Sequence, residues 1–412
     1  MNGVLQNILL ASLNVSLDFD IQPWLQSSAY HFTGGGSYLF QQSAAQVIKY
    51  RFADGTSYTS TSVAQQAPYA MFTIASSARQ TLSVDIPNAA LVTVLNLTSG
   101  QVYSIPEEVR RLINVTTLIL SNNLLTTLPV LLFQLPNLQL ISLNEPNISS
   151  IPAIISQQTS LRYLDIVACP SLTSLPASLS GGTLTKMHFS GLPSSFSIPN
   201  FANYTTLREL RFGYSTLQAA VNASPTTYGN NTWSSLATSL FPDGKLTTNV
   251  TSAVQLTSLY IQAPNYLRSL DRIQNLTNLT TLLIITNSYT PSSANAYDAV
   301  LPVPAIPTAF ASLVNLKNIR FSGMNLNQQS VVNSVIDGLY DIVIANASMT
   351  AGGNSNIWRN VTFVFNLLTV AASGTYQQPS GYVQGSSNGT PASQREKAWI
   401  LANQYGWTVS LT

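Results

Sequence analysis

The stretch LILSNNLLTTLPVLLFQLPN, residues 118–137, is rich in leucine, closes on prolines and is followed by a second stretch of the same kind. The pattern returns as LQLISLNEPNISSIPAIISQQTS at residues 138–160 and as LRYLDIVACPSLTSLPASLSGGT at residues 161–183. Each of these two segments is 23 residues long. A fixed period of this size predicts a stack of repeated structural elements.

Each repeat opens with apolar residues spaced as L-x-x-L-x-L. Six repeats follow at steps of 23 residues and begin at Val92, Val115, Leu138, Leu161, Leu184 and Leu207. Further repeats begin at Leu256, Leu279, Leu316 and Leu339. The apolar residues alternate at the end of this pattern, which predicts a short strand with one buried face. Stacking would give all repeats one core, with parallel strands about 4.8 Å apart.

The second half of several repeats ends in an apolar residue followed by proline, as at Leu128 and Pro129. Together these positions resemble the leucine-rich repeat family, whose pattern is L-x-x-L-x-L-x-x-N-x-L-x-x-L-P. The resemblance covers residues 91–366 and implies an α/β solenoid, a horseshoe with a parallel sheet. The family is mostly a binding scaffold, so the resemblance implies recognition rather than catalysis.

The family asparagine is matched at Asn123. Elsewhere the same position in the repeat holds Gly100, Pro146 and Cys169. The ladder of asparagines found in the family is therefore mostly missing. We expect Cys169, the one cysteine of the chain, to be a buried residue that fills this position, with a reactive thiol as the alternative.

Residues 1–90 lie outside the repeat pattern and predict a small β-rich domain that serves for attachment. The segment from Val47 to Val63 alternates around Asp54 and Gly55, which is typical of a hairpin. Residues 69–75 and 81–87 predict further strands. The three glycines at positions 34–36 are not followed by Lys-Ser or Lys-Thr, so they indicate a loop rather than a phosphate site.

Two insertions interrupt the repeats, near residues 218–255 and 286–310. Insertions in repeat proteins emerge as loops, often on a binding face. Residues 361–366 predict a last parallel strand. Residues 367–412 then predict a linker, a helix that Gly406 stops and a final strand, which together cap the core. This ending resembles the tails of bacterial and bacteriophage leucine-rich repeat proteins.

The composition is polar but nearly uncharged, with 8% charged residues and a net charge of +2. This argues against a nucleic-acid partner bound through phosphate neutralisation. Such a surface suits extracellular or virion proteins. The apolar N-terminal run has no Lys or Arg before it, so we expect no cleaved signal peptide. We also expect no membrane span, because no apolar run approaches the roughly 20 residues required.

The chain contains 13 Asn-x-Ser/Thr sequons, against about seven or eight expected by chance for its composition. They begin at Asn14, Asn96, Asn114, Asn147, Asn203, Asn222, Asn230, Asn249, Asn275, Asn278, Asn346, Asn360 and Asn388. If the protein is secreted, these asparagines are its candidate glycosylation sites.

No set of residues predicts catalysis, a metal or a cofactor. The two histidines are His31 and His188, and no Cys/His group has the spacing of a metal site. The paired carboxylates at positions 107 and 108 are followed by arginines at 110 and 111. Acid at the start and base at the end indicate a short helix rather than a catalytic pair.

The residues on either side of the second apolar position should point away from the core. On neighbouring repeats they form a cluster of charged and aromatic side chains, which we name the strand-face cluster: Tyr163, Asp165, Lys186, His188, Glu209, Arg211, Tyr214 and Tyr260. One interpretation is a row of cross-strand ion pairs, each worth about 0.2–1 kcal/mol. The other is a partner-binding patch.

These observations predict a non-enzymatic protein that presents a repeat surface within a larger assembly. The favoured hypothesis is a bacteriophage virion component with a structural, decoration or host-recognition role. Its partners would be neighbouring structural subunits, or a receptor or glycan on a cell surface. The alternative hypothesis is a secreted, N-glycosylated adhesin or extracellular filament subunit.

Overall fold

The computed structural model of the chain describes residues 14–22, 24–26, 29–33, 40–44, 46–60, 71–74, 78–98, 101–213, 239–262, 267, 269–285, 306–322, 329–346, 362–366 and 372–411. They fall into two compact units, and each is described by itself. Unit 1 holds the described residues up to Ser197, and unit 2 holds those from Ile198 onward. The predicted domain boundaries after residues 90 and 366 stay predictions.

The first part of unit 1 consists of antiparallel strands. They are β1 (Val15–Ile21), β2 (Trp24–Gln26), β3 (Ala29–Thr33), β4 (Phe40–Gln42), β5 (Ile48–Phe52), β6 (Ser57–Ser60), β7 (Met71–Ile74), β8 (Gln80–Ile86), β9 (Val92–Thr98) and β10 (Val102–Ser104). One sheet has the order β10-β1-β8-β5-β6, and a second has the order β2-β3-β7. The predicted hairpin is β5–β6, with Gly55 at a φ of 90° in its turn. The small N-terminal β structure is therefore confirmed.

Strand β1 shows why this sheet forms. Val15, Leu17, Phe19 and Ile21 are buried, and the residues between them face outward. This alternation is the signature of a strand with one face on a core.

The repeats of unit 1 form a parallel sheet. Its strands are β9 and then β11 (Thr117–Ser121), β12 (Leu140–Asn144), β13 (Tyr163–Val167) and β14 (Lys186–Ser190). Strand β4 pairs antiparallel with β9 at one edge. Leu118, Ile141, Leu164 and Met187 pair in register and are all fully buried. The register predicted from the 23-residue period is confirmed.

The side of each repeat opposite the sheet is a single 3-10 turn. In unit 1 these segments are Ala89–Leu91, Glu107–Arg111, Val130–Gln134, Ala153–Gln157 and Ala177–Gly181. The last four each follow a proline, and its fixed φ prepares the chain to turn. The predicted short helix at residues 107–111 is confirmed, and Arg110 pairs with Glu107 at 2.9 Å.

Unit 2 repeats the same plan. Its parallel strands are β15 (Glu209–Phe212), β16 (Ser258–Gln262), β17 (Thr281–Ile285), β18 (Asn318–Ser322), β19 (Thr362–Asn366) and β22 (Thr408–Leu411), and its hairpin is β20 (Ser380–Val383) with β21 (Ser387–Thr390). The helical segments are Phe201–Asn203, Ile273–Asn275, Thr308–Ser312, α1 (Thr248–Thr251), α2 (Gln329–Asn346) and α3 (Gln394–Tyr405). Strand β19 confirms the last repeat strand expected at residues 361–366.

The prediction of a tenth repeat that begins at Leu339 is wrong. Leu339 and Ile342 lie in α2, an 18-residue helix, and both are buried there. Apolar residues three and four apart fit one face of a helix as well as they fit the opening of a repeat. The chain forms a helix here because buried apolar residues continue at helical spacing on both sides of Leu339, from Val332 to Val343.

Part of the first predicted insertion, within residues 239–255, packs into the core. Val250 in α1 is fully buried, as are Leu246 and Ala253. Residues 218–238 and 286–305 of the two predicted insertions lie outside the described residues.

The predicted C-terminal helix and strand are confirmed. Helix α3 begins after Ser393, whose hydroxyl accepts a hydrogen bond from the Glu396 N–H at 3.3 Å. It ends at Gly406, which has a φ of 71° that glycine adopts without strain. Among the helices that are described, none is both long enough and apolar enough to cross a bilayer.

Candidate functional site

The strand-face cluster contributes four residues to unit 1, on strands β13 and β14. Tyr163 lies opposite Lys186, and Asp165 lies opposite His188. The Lys186 Nζ atom is 5.2 Å from the centroid of the Tyr163 ring. Both of these side chains are half-buried. The ammonium therefore sits within range of a cation–π attraction, which is worth about 0.5–1 kcal/mol at an exposed site.

Asp165 and His188 are not on the surface, and the expectation that they are exposed is wrong. They are only 1% and 0% exposed. The Asp165 carboxylate contacts His188 Nδ1 and also accepts a hydrogen bond from the Ser142 hydroxyl at 2.8 Å. Alternation along a strand predicts which way a side chain points, but it does not predict what packs over it.

The row Ser142, Asp165, His188 contains the residue types of a hydrolase triad in a different arrangement. In a triad the imidazole stands between the hydroxyl and the carboxylate and takes the hydroxyl proton. Here the carboxylate stands in the middle, so the Ser142 hydroxyl donates to Asp165 rather than to His188. This row links side chains of three successive repeats.

Unit 2 contributes Glu209, Arg211 and Tyr260. The Arg211 guanidinium pairs with the Glu209 carboxylate on the same strand. It also lies 4.1 Å from the centroid of the Tyr260 ring on the next strand. All three side chains are half-buried. Tyr214, the eighth member of the cluster, lies outside the described residues.

The charged side chains of the cluster are engaged with other side chains of the protein. Asp165 contacts His188 across two strands, and Glu209 forms an ion pair with Arg211. The second pair joins residues of one strand, whereas a cross-strand pair was expected. Binding of a partner by this cluster stays a prediction.

A ladder of asparagines exists in the structure at a position the sequence analysis did not consider. These asparagines stand immediately before the first apolar residue of a repeat, and each side-chain amide donates to a carbonyl of the preceding repeat at 2.7–3.0 Å. The members are Asn114, Asn137, Asn278 and Asn315. The recurring pair Asn-Leu or Asn-Val at this position was the available signal.

The ladder also accounts for part of the sequon excess, because Asn114 and Asn278 are sequon asparagines with a structural hydrogen bond. Asn96 is ruled out as a glycan acceptor in the folded chain, since it is fully buried and its side-chain oxygen accepts from the Thr98 N–H at 3.1 Å. The exposed sequon asparagines are Asn14, Asn114, Asn147, Asn203, Asn275 and Asn278, and the half-buried ones are Asn249 and Asn388. Asn222, Asn230 and Asn360 lie outside the described residues, as does the side chain of Asn346.

Cys169 behaves as the ladder residue that the repeat position predicts. It is 1% exposed, and its thiol lies 3.8 Å from the Leu143 carbonyl oxygen. Asn123 makes the equivalent contact with Leu97 at 2.6 Å. Burial raises the pKa of the Cys169 thiol to about 12, so a thiolate is strongly disfavoured. Within the described ranges, no three His, Cys, Asp or Glu residues are placed to hold a metal ion.

Comparison with known proteins agrees with this architecture. A family model described as leucine rich repeat matches residues 113–170. No curated protein sequence matches the chain.

Several solved structures are similar over part of the chain. A leucine-rich repeat protein of Leptospira interrogans is 18% identical, with 61% of this chain and 60% of that chain covered and a TM-score of 0.32. Internalin C2 of Listeria monocytogenes is 18% identical, with 56% and 72% covered and a TM-score of 0.29. A plant peptide hormone receptor is 17% identical, with 53% and 35% covered and a TM-score of 0.29.

This chain thus spans less than two thirds of the Leptospira protein and of the plant receptor. Likenesses at these identities and TM-scores carry no argument about function. The match to residues 113–170, together with parallel strands that recur every 23 residues around a buried apolar ladder, shows that these repeats have the leucine-rich repeat fold.

Proposed function

We propose that the chain is a non-enzymatic recognition scaffold whose repeat strands bind a protein partner. Leucine-rich repeat proteins are generally scaffolds of this kind. The observation that carries the proposal is the half-exposed pair of Tyr163 and Lys186 on strands β13 and β14. Tyrosine offers a rigid, amphipathic surface and is enriched where binding energy concentrates.

The electrostatics of the cluster indicate what kind of contact it would make. Arg211 is paired with Glu209 and lies against Tyr260, and Lys186 lies against Tyr163. With only 8% charged residues in the chain, the proposed binding depends on packing and hydrogen bonds more than on charge. We therefore expect the affinity to change little with ionic strength, because screening acts on exposed, unpaired charges.

The finer proposal is a virion component of a bacteriophage, with a structural, decoration or host-recognition role. It is supported by the near-absence of charge and by the resemblance of the C-terminal ending to phage and bacterial repeat proteins. The N-terminal β structure would attach the chain to its assembly. A secreted, glycosylated adhesin or filament subunit is the second candidate, and the exposed sequons favour it.

A site-specific photo-crosslinker tests the scaffold proposal directly. It is placed at Tyr163, at Lys186 and, as a matched control, at Val130, which is 49% exposed on the side opposite the strands. In the native host or particle we expect the first two positions to yield the same discrete protein adduct and Val130 to yield none. Equal adducts from all three positions, or none from the strands, would count against a strand-face interface.

Alanine variants measure how much individual side chains contribute to the free energy of binding. Tyr163→Ala and Arg211→Ala should each weaken binding to the crosslinked partner by about 1–2 kcal/mol. Stability should fall by about 0.5–1 kcal/mol for Tyr163→Ala, because its cation–π contact with Lys186 is lost. Identification of the adduct as a capsid or tail subunit, or a host receptor, supports the virion role. An intact mass several kilodaltons above 44.4 kDa supports the secreted glycoprotein instead.

A further inference from the structure

One apolar column of the parallel sheet in unit 2 ends in a residue that is only half-buried. Its members pair in register from strand to strand and are Leu259, Leu282, Ile319, Phe363 and Val409. The first three are buried, whereas Val409 on β22 is half-buried. At the last strand, part of a side chain in the position of a core residue is therefore exposed to water.

Hairpin β20–β21 packs against the helix of this last repeat. The ring of Tyr382 meets the ring of Trp399 on α3 edge-on, with 4.8 Å between the centroids. The Asn388 side-chain amide donates to the Tyr405 hydroxyl at 3.1 Å. Ile400 of α3 is fully buried. The hairpin thus covers the helix of the last repeat, while the strand of that repeat keeps an apolar residue half-exposed.

Strand β22 is an edge strand. It pairs with β19 in unbroken parallel register from Thr408 to Leu411. No strand in the described part of the chain pairs with its other side. Proteins usually protect such an edge with lysine, proline or a bulge, because its unpaired backbone groups can bind another strand. Residues 398–412 contain neither a charged residue nor a proline, so β22 has none of these protections.

The open side of β22 presents the backbone groups of Val409. On β19, the Thr362 N–H donates to the Lys317 carbonyl of the preceding repeat at 2.8 Å. Thr408 lies opposite Thr362 in the register of the two strands, so its N–H turns towards β19 in the same way. Successive residues of a strand point their N–H and C=O groups to opposite sides. The N–H and C=O of Val409 therefore face away from β19.

We propose that β22 is a self-association site, at which two copies of the chain pair their β22 strands antiparallel about a two-fold axis. The parallel sheet of one copy then continues into the sheet of the other. A second copy fits this edge because it offers the same half-exposed valine and the same uncharged strand. Residues near a two-fold axis meet their own counterparts, so a charged strand would repel its copy. The sequence of β22 contains no such charge.

The register of the pairing follows from the direction of the backbone groups. With Val409 on the axis, each Val409 N–H donates to the Val409 carbonyl of the other copy, as in a hydrogen-bonded antiparallel pair. The two valine side chains lie opposite each other and bury apolar surface that each copy alone leaves in water. Thr408 of one copy stands opposite Ser410 of the other, and such hydroxyl pairs stabilise antiparallel strands. One pairing thus satisfies the backbone and the exposed valine together.

Sedimentation equilibrium of the protein tests the pairing. Strand β22 has four residues, which bury less than a standard interface of about 1,600 Å², so we expect a weak dimer with a Kd on the order of 10 µM. Over a range of about 1–100 µM, which spans this Kd, the average mass should rise from 44.4 kDa towards twice that value. Hydrogen exchange over the same range should show increasing protection of the Val409 amide, because the dimer engages it.

Two variants should weaken the dimer. Val409→Pro removes the outward N–H without removing a hydrogen bond to β19. Each copy then loses one hydrogen bond across the axis, so the Kd should rise by about 30-fold. Thr408→Lys adds an ammonium group near the axis on each copy and should also raise the Kd. Val314→Lys is the matched control, because it adds the same charge at a residue that is 43% exposed outside β22, and its Kd should equal that of the wild type.

A wild-type mass that stays at 44.4 kDa up to about 100 µM would overturn the proposal. A dimer whose Kd is the same in wild type and in Thr408→Lys would also overturn it. Thr408 is exposed, so the lysine does not compromise folding. If Val409→Pro does not fold, hydrogen exchange of the wild type decides the question. A Val409 amide that gains no protection as the dimer forms contradicts pairing through β22.

Discussion

Gly191 is a position outside the apolar core at which a single added methyl group should destabilise the fold. Its φ of 62° lies in the left-handed region, which costs an alanine about 1–2 kcal/mol. An added Cβ would also lie 3.0 Å from both the Cα and the N of Ala168. That nitrogen donates to the Ser190 carbonyl at 2.8 Å, so the backbone cannot yield without weakening a hydrogen bond worth about 1 kcal/mol. We expect Gly191→Ala to cost about 2–3 kcal/mol.

Urea unfolding followed by circular dichroism measures this loss. Gly181→Ala is the matched control, because no atom lies within 4 Å of its added Cβ. It should stay within about 0.5 kcal/mol of wild type. The reverse change, Ala168→Gly, relieves a φ of 48° and should be neutral or stabilise by up to about 1 kcal/mol. If Gly191→Ala unfolds at the same urea concentration as Gly181→Ala, the inferred close contact between Gly191 and the Ala168 backbone is wrong.

Three further results are expected. Leu164→Asp should cost several kcal/mol because it places an unpaired charge at a fully buried site, and a thermal midpoint within a degree or two of wild type would refute the register. Hydrogen bonds from Arg272 lower the pKa of Asp243. Their pair therefore stabilises the fold at pH values above the ordinary aspartate pKa, and this stabilisation is lost as the pH falls. In unfolding measured against pH, Asp243→Asn should lose less stability on acidification than the wild-type protein does. Asn137→Ala should cost about 1 kcal/mol in urea unfolding, since its amide donates to the Ile113 carbonyl at 2.9 Å, and no loss would make the ladder dispensable.

The period of the sequence was sufficient to predict the sheet. Residues 23 apart become neighbours on adjacent strands, so Leu118, Ile141, Leu164 and Met187 had to share one buried row. Each repeat contacts mainly the repeats next to it, which makes this part of the fold nearly one-dimensional. The same period predicted that Cys169 lies in the core. It could also have predicted the asparagine ladder that includes Asn114, because these asparagines recur at one position of the repeat.

Three features depended on contacts that no local pattern encodes. Leu339 fits both a repeat and a helix, and only the surrounding chain decided for α2. Asp165 and His188 alternate with core residues along their strands, yet they are buried, because burial depends on what packs over a strand.

Glu145 is the third case, and it shows the physical reason most clearly. A charged residue beside proline in a turn would be expected to face water. Its carboxylate instead faces inward, where it accepts hydrogen bonds from the N–H and the side-chain amide of Asn123 on the preceding repeat. The sequence determined the spacing of the repeats, and the tertiary structure decided which polar groups meet between them.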